Sequence, residues 1–166
     1  MKVAIILGTS RSDGNTRKVV DAFISKSGAT FFDLAKYELS FFDYEHKNIH
    51  DDFLPLINKL VHFDHLVFAT PVYWYSVSAQ LKVFIDRFSD MLTIEKNLGR
   101  KLKGKEISII STGSEENSRE CFSKPIQLTA DYLQMKYKGN SYCSIRNELN
   151  IEKMNAAVNQ AMKNVT

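Results

Sequence analysis

Val3-Ala4-Ile5-Ile6-Leu7-Gly8-Thr9-Ser10-Arg11-Ser12-Asp13-Gly14-Asn15-Thr16 opens the chain and decides how the rest is read. Five apolar residues in an unbroken run, closed by Gly8, describe a strand buried on both faces. A strand with one wet face would alternate apolar and polar residues. The stretch then turns polar and enters residues 15–27, where Val19, Val20, Phe23 and Ile24 share one helical face. Gly28 is placed to end that helix. Strand, polar loop and helix make the first half of a parallel crossover unit.

The same unit recurs outward from this start. Residues 30–34 read as a second strand, 35–52 as a long irregular loop and 53–62 as a short helix. Residues 65–69 read as a third buried strand, stopped by Thr70-Pro71. Val77, Leu81, Phe84, Ile85, Phe88 and Leu92 then form the apolar face of one helix, with Lys82 and Asp86 paired outside. Residues 106–111 form a fourth strand, broken by Thr112-Gly113-Ser114. A helix over 123–136 has Ser123 as its cap and Pro125 in its first turn. A fifth strand over 138–144 and a helix over Ile151–Asn164 close the chain. Five such repeats predict one α/β domain over residues 1–166: a five-stranded parallel sheet with helices on both faces. Ligands of such sheets sit outside the carboxyl ends of the strands. Function is therefore expected in the loops after Leu7, Ala69 and Ser111.

Composition removes several classes of function. The 166 residues are 44% hydrophobic and 25% charged, ordinary for a globular chain, and the net charge is +3. That excess, without a concentrated basic patch, argues against nucleic acid as a partner. Cys121 and Cys143 show no metal-ligand spacing, so no zinc or iron–sulfur site is expected and the metal set is empty. The apolar run at the amino end is too short for a signal peptide or membrane span, so the expected location is the cytoplasm, with no membrane partner. His46 and His50 read as solvated loop residues. Asp51-Asp52 reads as a cap for the helix behind it, and Glu115-Glu116 as a solvated surface pair.

The three loops carry the chemistry. Thr9, Ser10, Ser12 and Thr16 offer hydroxyls, Asn15 an amide and Arg11 a guanidinium, all beside a helix start. That donor set suits a phosphate, although the same residue types also make turns and caps. Neither the P-loop ending nor the GxGxxG fingerprint is present. In the second loop, Pro71, Val72, Tyr73, Trp74 and Tyr75 place three consecutive aromatics at a strand end. They cannot all face one core, so a flat ring is expected against at least one of them; packing under the next helix or at a subunit contact is the other reading. In the third loop, Thr112, Gly113 and Ser114 allow a ligand close to the backbone.

Together these loops resemble the NADPH-dependent FMN reductase family of flavodoxin-like proteins. The strongest match is the run from Thr70-Pro71-Val72-Tyr73-Trp74-Tyr75-Ser76 through Asp86-Arg87, which resembles the family's isoalloxazine loop and following helix. Ser10 stands where many relatives carry proline, and Ser114 replaces a second glycine. The resemblance implies an FMN site: Thr9, Ser10, Arg11, Ser12, Asn15 and Thr16 at the phosphate, Pro71, Val72, Tyr73 and Trp74 at the ring, Thr112, Gly113 and Ser114 at its other edge. It implies hydride transfer from NADPH or NADH through the flavin to a quinone, a free flavin or a similar small acceptor. It also implies a homodimer or homotetramer using the helix over 77–91. No catalytic side chain is named, because the cofactor carries the chemistry. A flavodoxin-type electron carrier and a cofactor-free binding module are the competing readings; the positive charge weighs against the carrier.

Overall fold

A computed structural model describes residues 1–166. Strands β1 (Val3–Leu7), β2 (Thr30–Asp33), β3 (His65–Pro71), β4 (Glu106–Gly113) and β5 (Lys136–Ser144) form one parallel sheet in the order β2-β1-β3-β4-β5. This is the flavodoxin-like α/β arrangement. Helices α1 (Asn15–Ser27), α2 (Phe53–Leu60), α3 (Ala79–Asp86), α4 (Asp90–Thr93), α5 (Lys96–Arg100), α6 (Glu120–Tyr132) and α7 (Ile151–Asn164) cover its two faces.

The period of two along each strand divides the core. Ile5 and Leu7 of β1, with Val67 and Ala69 of β3, pack against α1 and α7. Ala4, Ile6, Leu66 and Phe68 point the other way, against α2, α3 and α6. There Phe84 meets Phe53, Phe68 and Phe88 with ring centroids 5.8, 6.1 and 5.2 Å away. These edge-on contacts contribute beyond the buried area.

Several boundaries differ from the sequence reading. β3 does not stop at Thr70-Pro71 but runs through Pro71, which pairs with Thr112. The reason is strand alternation. The Ala69 carbonyl faces β1, accepting from Gly8 N, and Val72 N faces β4, donating to the Thr112 carbonyl. The Pro71 nitrogen therefore points toward β1 beyond its end, so no ladder bond is lost. β4 likewise continues through Gly113, and β5 begins at Lys136, whose N–H donates to the Lys105 carbonyl.

The helix expected from Val77 to Leu92 is three pieces. Ser78 caps α3, accepting from Leu81 N, and leaves Val77 outside. A 3-10 turn over Arg87–Ser89 separates α3 from α4, and Leu92 is exposed. At that turn Arg87 is wholly buried. Its Nε donates to Asp90 (2.7 Å), its terminal nitrogens to Asp51 and the Ser40 carbonyl, and its guanidinium lies 4.8 Å from the Phe53 ring centre. Burial opposes the charge on Arg87, but Asp51 and Asp90 outweigh it and hold its pKa above the ordinary value. For Asp51, burial likewise opposes ionisation, yet Arg87 and the N–H groups of Ser40 and Phe53 hold its carboxyl below the usual range. Asp51 is thus an ion-pair partner that also accepts from Phe53 N, and Asp52 accepts from Glu38 N rather than capping with its side chain. His46 is not solvated but bonds Asp90 through Nδ1 at 3.0 Å. This network pins the 38–52 loop to α3 and α4. Finally, α6 starts at Glu120, so Ser123 lies inside it and Pro125 in its second turn, where the missing N–H leaves the Cys121 carbonyl without its usual donor. No helix is long and apolar enough to cross a membrane.

Candidate functional site

All three loops meet at the carboxyl edge of the sheet. Gly8 begins the first, and its carbonyl accepts from Ser78 Oγ at 2.7 Å. A Cβ at Gly8 would lie 2.6 Å from the Leu81 Cβ, so α3 can approach the loop only because this position is glycine. α1 starts on an extended Gly14 with no side-chain cap and no acid in its first turn. Its first N–H groups are therefore left without a side-chain partner, at the positive end of the helix dipole.

Those groups open into a cavity of about 280 Å³. Thr9, Arg11, Asn15 and Thr16 line it from the first loop, Pro71, Val72 and Tyr73 from the second, and Thr112, Gly113 and Ser114 from the third. No acidic residue is among its walls, and Arg11 supplies a positive charge. Thr16 Oγ1 and Thr112 Oγ1 are hydrogen-bonded at 2.7 Å in a buried contact that fixes α1 against β4. Ser10 and Ser12 stand outside the walls. Ser10 Oγ instead meets the Tyr73 hydroxyl at 2.9 Å, stapling the first loop to the second.

A second cavity of about 190 Å³ adjoins the first, sharing Val72, Gly113 and Ser114. Trp74, Tyr75, Phe122 and Tyr142 give it aromatic walls, and Glu115 and Arg119 stand at its rim. The aromatic side is built on a tight turn in which Tyr73 and Ser76 exchange backbone hydrogen bonds of 3.0 Å. Trp74 (φ 48°) and Tyr75 (φ 62°) both adopt left-handed conformations. Bulky residues there cost on the order of 1 kcal/mol or more each. The turn throws both rings outward, leaving Trp74 95% exposed and Tyr75 53% exposed. On the opposite wall, a Cβ at Gly113 would lie 2.8 Å from the Tyr142 hydroxyl. That hydroxyl donates to the Glu115 carbonyl at 2.9 Å and so holds the third loop. Burial, then the charge of Glu115, pushes the Tyr142 pKa upward, keeping the phenol protonated.

Sequence reasoning missed Arg119, just before α6, Phe122 of α6 and Tyr142 of β5. Only the Glu115–Arg119 spacing of four residues carried a signal. Glu115 and Glu116 lie at the surface as expected, each in exposed ion pairs: Glu115 holds Arg119, and Glu116 meets Lys153 and Arg146.

An acid-free anion cradle beside an aromatic slot, at the strand ends of this sheet, fits a phosphorylated planar ligand: the arrangement of a flavodoxin-like flavoprotein. The chain belongs to the NADPH-dependent FMN reductase family, whose sequence pattern matches residues 1–150. A Bacillus subtilis relative, YwqN, named as a NAD(P)H-dependent FMN-containing oxidoreductase, is 31% identical over 123 residues, covering 69% of this chain and 68% of its own. Among solved structures, the Trp repressor binding protein of Bacillus subtilis superposes with a TM-score of 0.75 at 22% identity, covering 96% of both chains. An NADPH-quinone reductase from P. pentosaceus gives 0.71 at 19% identity, covering 98% of this chain and 97% of that one.

Proposed function

We propose that the protein holds FMN with its phosphate in the cradle of the first loop and its ring in the aromatic slot, and uses it in the cytoplasm to pass electrons from NADPH or NADH to a small acceptor, a quinone or free flavin. The observation that carries this reading is the adjoining pair of cavities, one acid-free at an uncapped helix start, the other flat-walled. Bound there, FMN supplies a redox centre able to accept a hydride. Arg11 and the first N–H groups of α1 offset the phosphate charge. Trp74, Tyr75, Phe122 and Tyr142 shield the ring from water, and Gly113 lets it approach the backbone. No side chain in the slot is needed as acid or base. The name of the P. pentosaceus neighbour supports a quinone as acceptor.

The proposed assembly is a homodimer or homotetramer formed by the α4–α6 face. Support comes from a groove of about 330 Å³ there, floored by Phe88 and Leu133 and edged by exposed Leu92, Leu128 and Tyr132.

The test is an absorbance spectrum of the purified protein, followed by anaerobic titration with NADPH and NADH. Flavin bands that bleach with either nucleotide and return with a quinone are expected. A protein that stays colourless after incubation with FMN would sink the reading.

A further inference from the structure

We infer that the basic segment from Lys96 to Lys103, at the amino end of the sheet, is a docking surface for an anionic membrane. The inference is independent of the flavin chemistry. The flavin loops leave the carboxyl ends of the strands, whereas this segment leads into the amino end of β4. The expectation of no membrane partner came from the want of a membrane span, which a surface contact does not need.

The positive charge of the chain is concentrated here. Residues 96–105 hold five of the 22 cations and no acid, which leaves 17 cations against 19 acids elsewhere. Leu98 and Leu102 are buried and tie the segment to the core, and a Cβ at Gly99 would lie 2.5 Å from the Met91 carbonyl, so α5 packs closely on α4. With the leucines turned inward, Lys96, Arg100, Lys101 and Lys103 are exposed. None of the four forms an ion pair, whereas Arg87, Arg119 and Lys153 each face a carboxylate. Lys105 is committed within the fold, its Nζ donating to the Phe63 carbonyl at 2.6 Å. Glu106, the acid that follows, is turned to His65 and Lys138. Clusters of roughly four or more cations at a surface are drawn to anionic lipid.

The surroundings of these cations favour a bilayer over other polyanions. Lys96, Arg100 and Lys103 line a cleft of about 570 Å³ together with apolar Leu92, Tyr132 and Leu133, and no acid is among its walls. An anionic lipid head group fits such a cleft, its phosphate against the three cations, while Lys101 meets neighbouring head groups. Exposed Leu92 and Ile94 stand beside the cations. Aliphatic side chains gain nothing against the backbone of a nucleic acid but can enter the head-group boundary of a membrane. Leu92, Tyr132 and Leu133 also border the groove assigned to assembly, so the inference rests on residues outside that groove: Ile94, Lys96, Arg100, Lys101 and Lys103. Docked this way, the molecule would keep its flavin loops at the end away from the lipid.

The test is co-sedimentation of the full chain with vesicles of phosphatidylcholine alone and of phosphatidylcholine with about one-third phosphatidylglycerol, at low and high salt. Binding to the anionic vesicles only, weakened by salt, is the expected result. Lys101→Ala combined with Lys103→Ala should lower the partition coefficient at least about tenfold, since each cation near an anionic surface is worth about fivefold. Both side chains are exposed, so folding is expected to survive, and urea unfolding checks that it does. Lys163→Ala removes a charge from α7, which packs on the opposite face of the sheet, and should leave vesicle binding unchanged. No binding to anionic vesicles at low salt overturns the inference, as does equal binding to uncharged ones. An equal loss in Lys163→Ala would mean that net charge acts rather than this segment. Tighter binding to a DNA duplex of random sequence than to the vesicles would make nucleic acid the partner instead. If the wild type holds no FMN yet binds anionic vesicles, the proposed function falls and this surface stands.

Discussion

Tyr142 and Gly113 show how one missing methyl group shapes the slot. The Tyr142 hydroxyl occupies the space a Cβ at position 113 would need and from there holds the Glu115 carbonyl. Gly113→Ala should push the phenol aside and break that hydrogen bond, costing about 1–3 kcal/mol. The rim carrying Glu115 and Arg119 would shift with it, weakening FMN binding. Gly113→Ala combined with Tyr142→Phe removes the clashing oxygen, so the pair should be less damaging than the sum of its parts. Urea unfolding and FMN titration of the three variants measure both effects; strict additivity would show that the two residues do not act through this contact.

At the scale of elements, the start of α1 does for the phosphate what a cap does for a helix. Gly14 has extended backbone with negative φ, and a Cβ there would meet nothing closer than the Arg11 carbonyl at 3.4 Å. Aspartate is therefore sterically acceptable. Gly14→Asp should stabilise the cofactor-free protein by about 0.5–1 kcal/mol by capping α1. The same carboxylate would compete with the phosphate, raising the Kd for FMN at least about tenfold. Thermal melts of apoprotein and flavin titration read the two effects; a gain in stability with undiminished FMN affinity would show that the phosphate does not sit at this helix. The elements bounded by local signals were legible in the sequence: α1 between Gly14 and Gly28, α7 behind Asn150, and β1 as an apolar run. The start of α3 was not, because Ser78 becomes its cap while donating to the Gly8 carbonyl, 70 residues away in the chain. The burial of Arg87 was not legible either, since nothing in its neighbourhood shows that Asp51 will fold over it. The left-handed Trp74-Tyr75 turn was hidden for another reason: such turns are normally announced by Asn-Gly or Gly. The loops of the site could be found from strand order, but the walls supplied by α6 and β5 require the closed sheet.

Two properties belong to the whole molecule. The first is assembly: Leu128→Glu with Tyr132→Glu would put charge on the exposed apolar face while sparing the flavin loops. Sedimentation velocity should show a smaller species with its flavin spectrum intact; an unchanged sedimentation coefficient would move the interface elsewhere. The second is acid stability. His65 is fully buried at the amino end of β3, far along the strand from the site, bonded to Ser108 Oγ at 2.7 Å and Glu106 Oε2 at 3.2 Å. Burial lowers its pKa below the ordinary 6.5; the bond to Glu106 and its charge oppose this, and Lys138 adds to the lowering. Below pH 6.5 the unfolded chain takes up a proton that the folded one resists, so stability should fall with pH from there until the folded His65 itself titrates. The slope cannot exceed about 1.4 kcal/mol per pH unit for one proton. The carboxyls held low by their partners, such as Asp51, act in a separate window: their stabilisation is present above about pH 4 and lost as pH falls through their folded values. His65→Gln keeps a hydrogen-bonding group near Ser108 but cannot titrate, so its stability should be lower overall and flat between pH 6.5 and 5. Urea unfolding across that range separates slope from level, and a wild-type curve as flat as the variant's would mean that His65 ionises alike in both states.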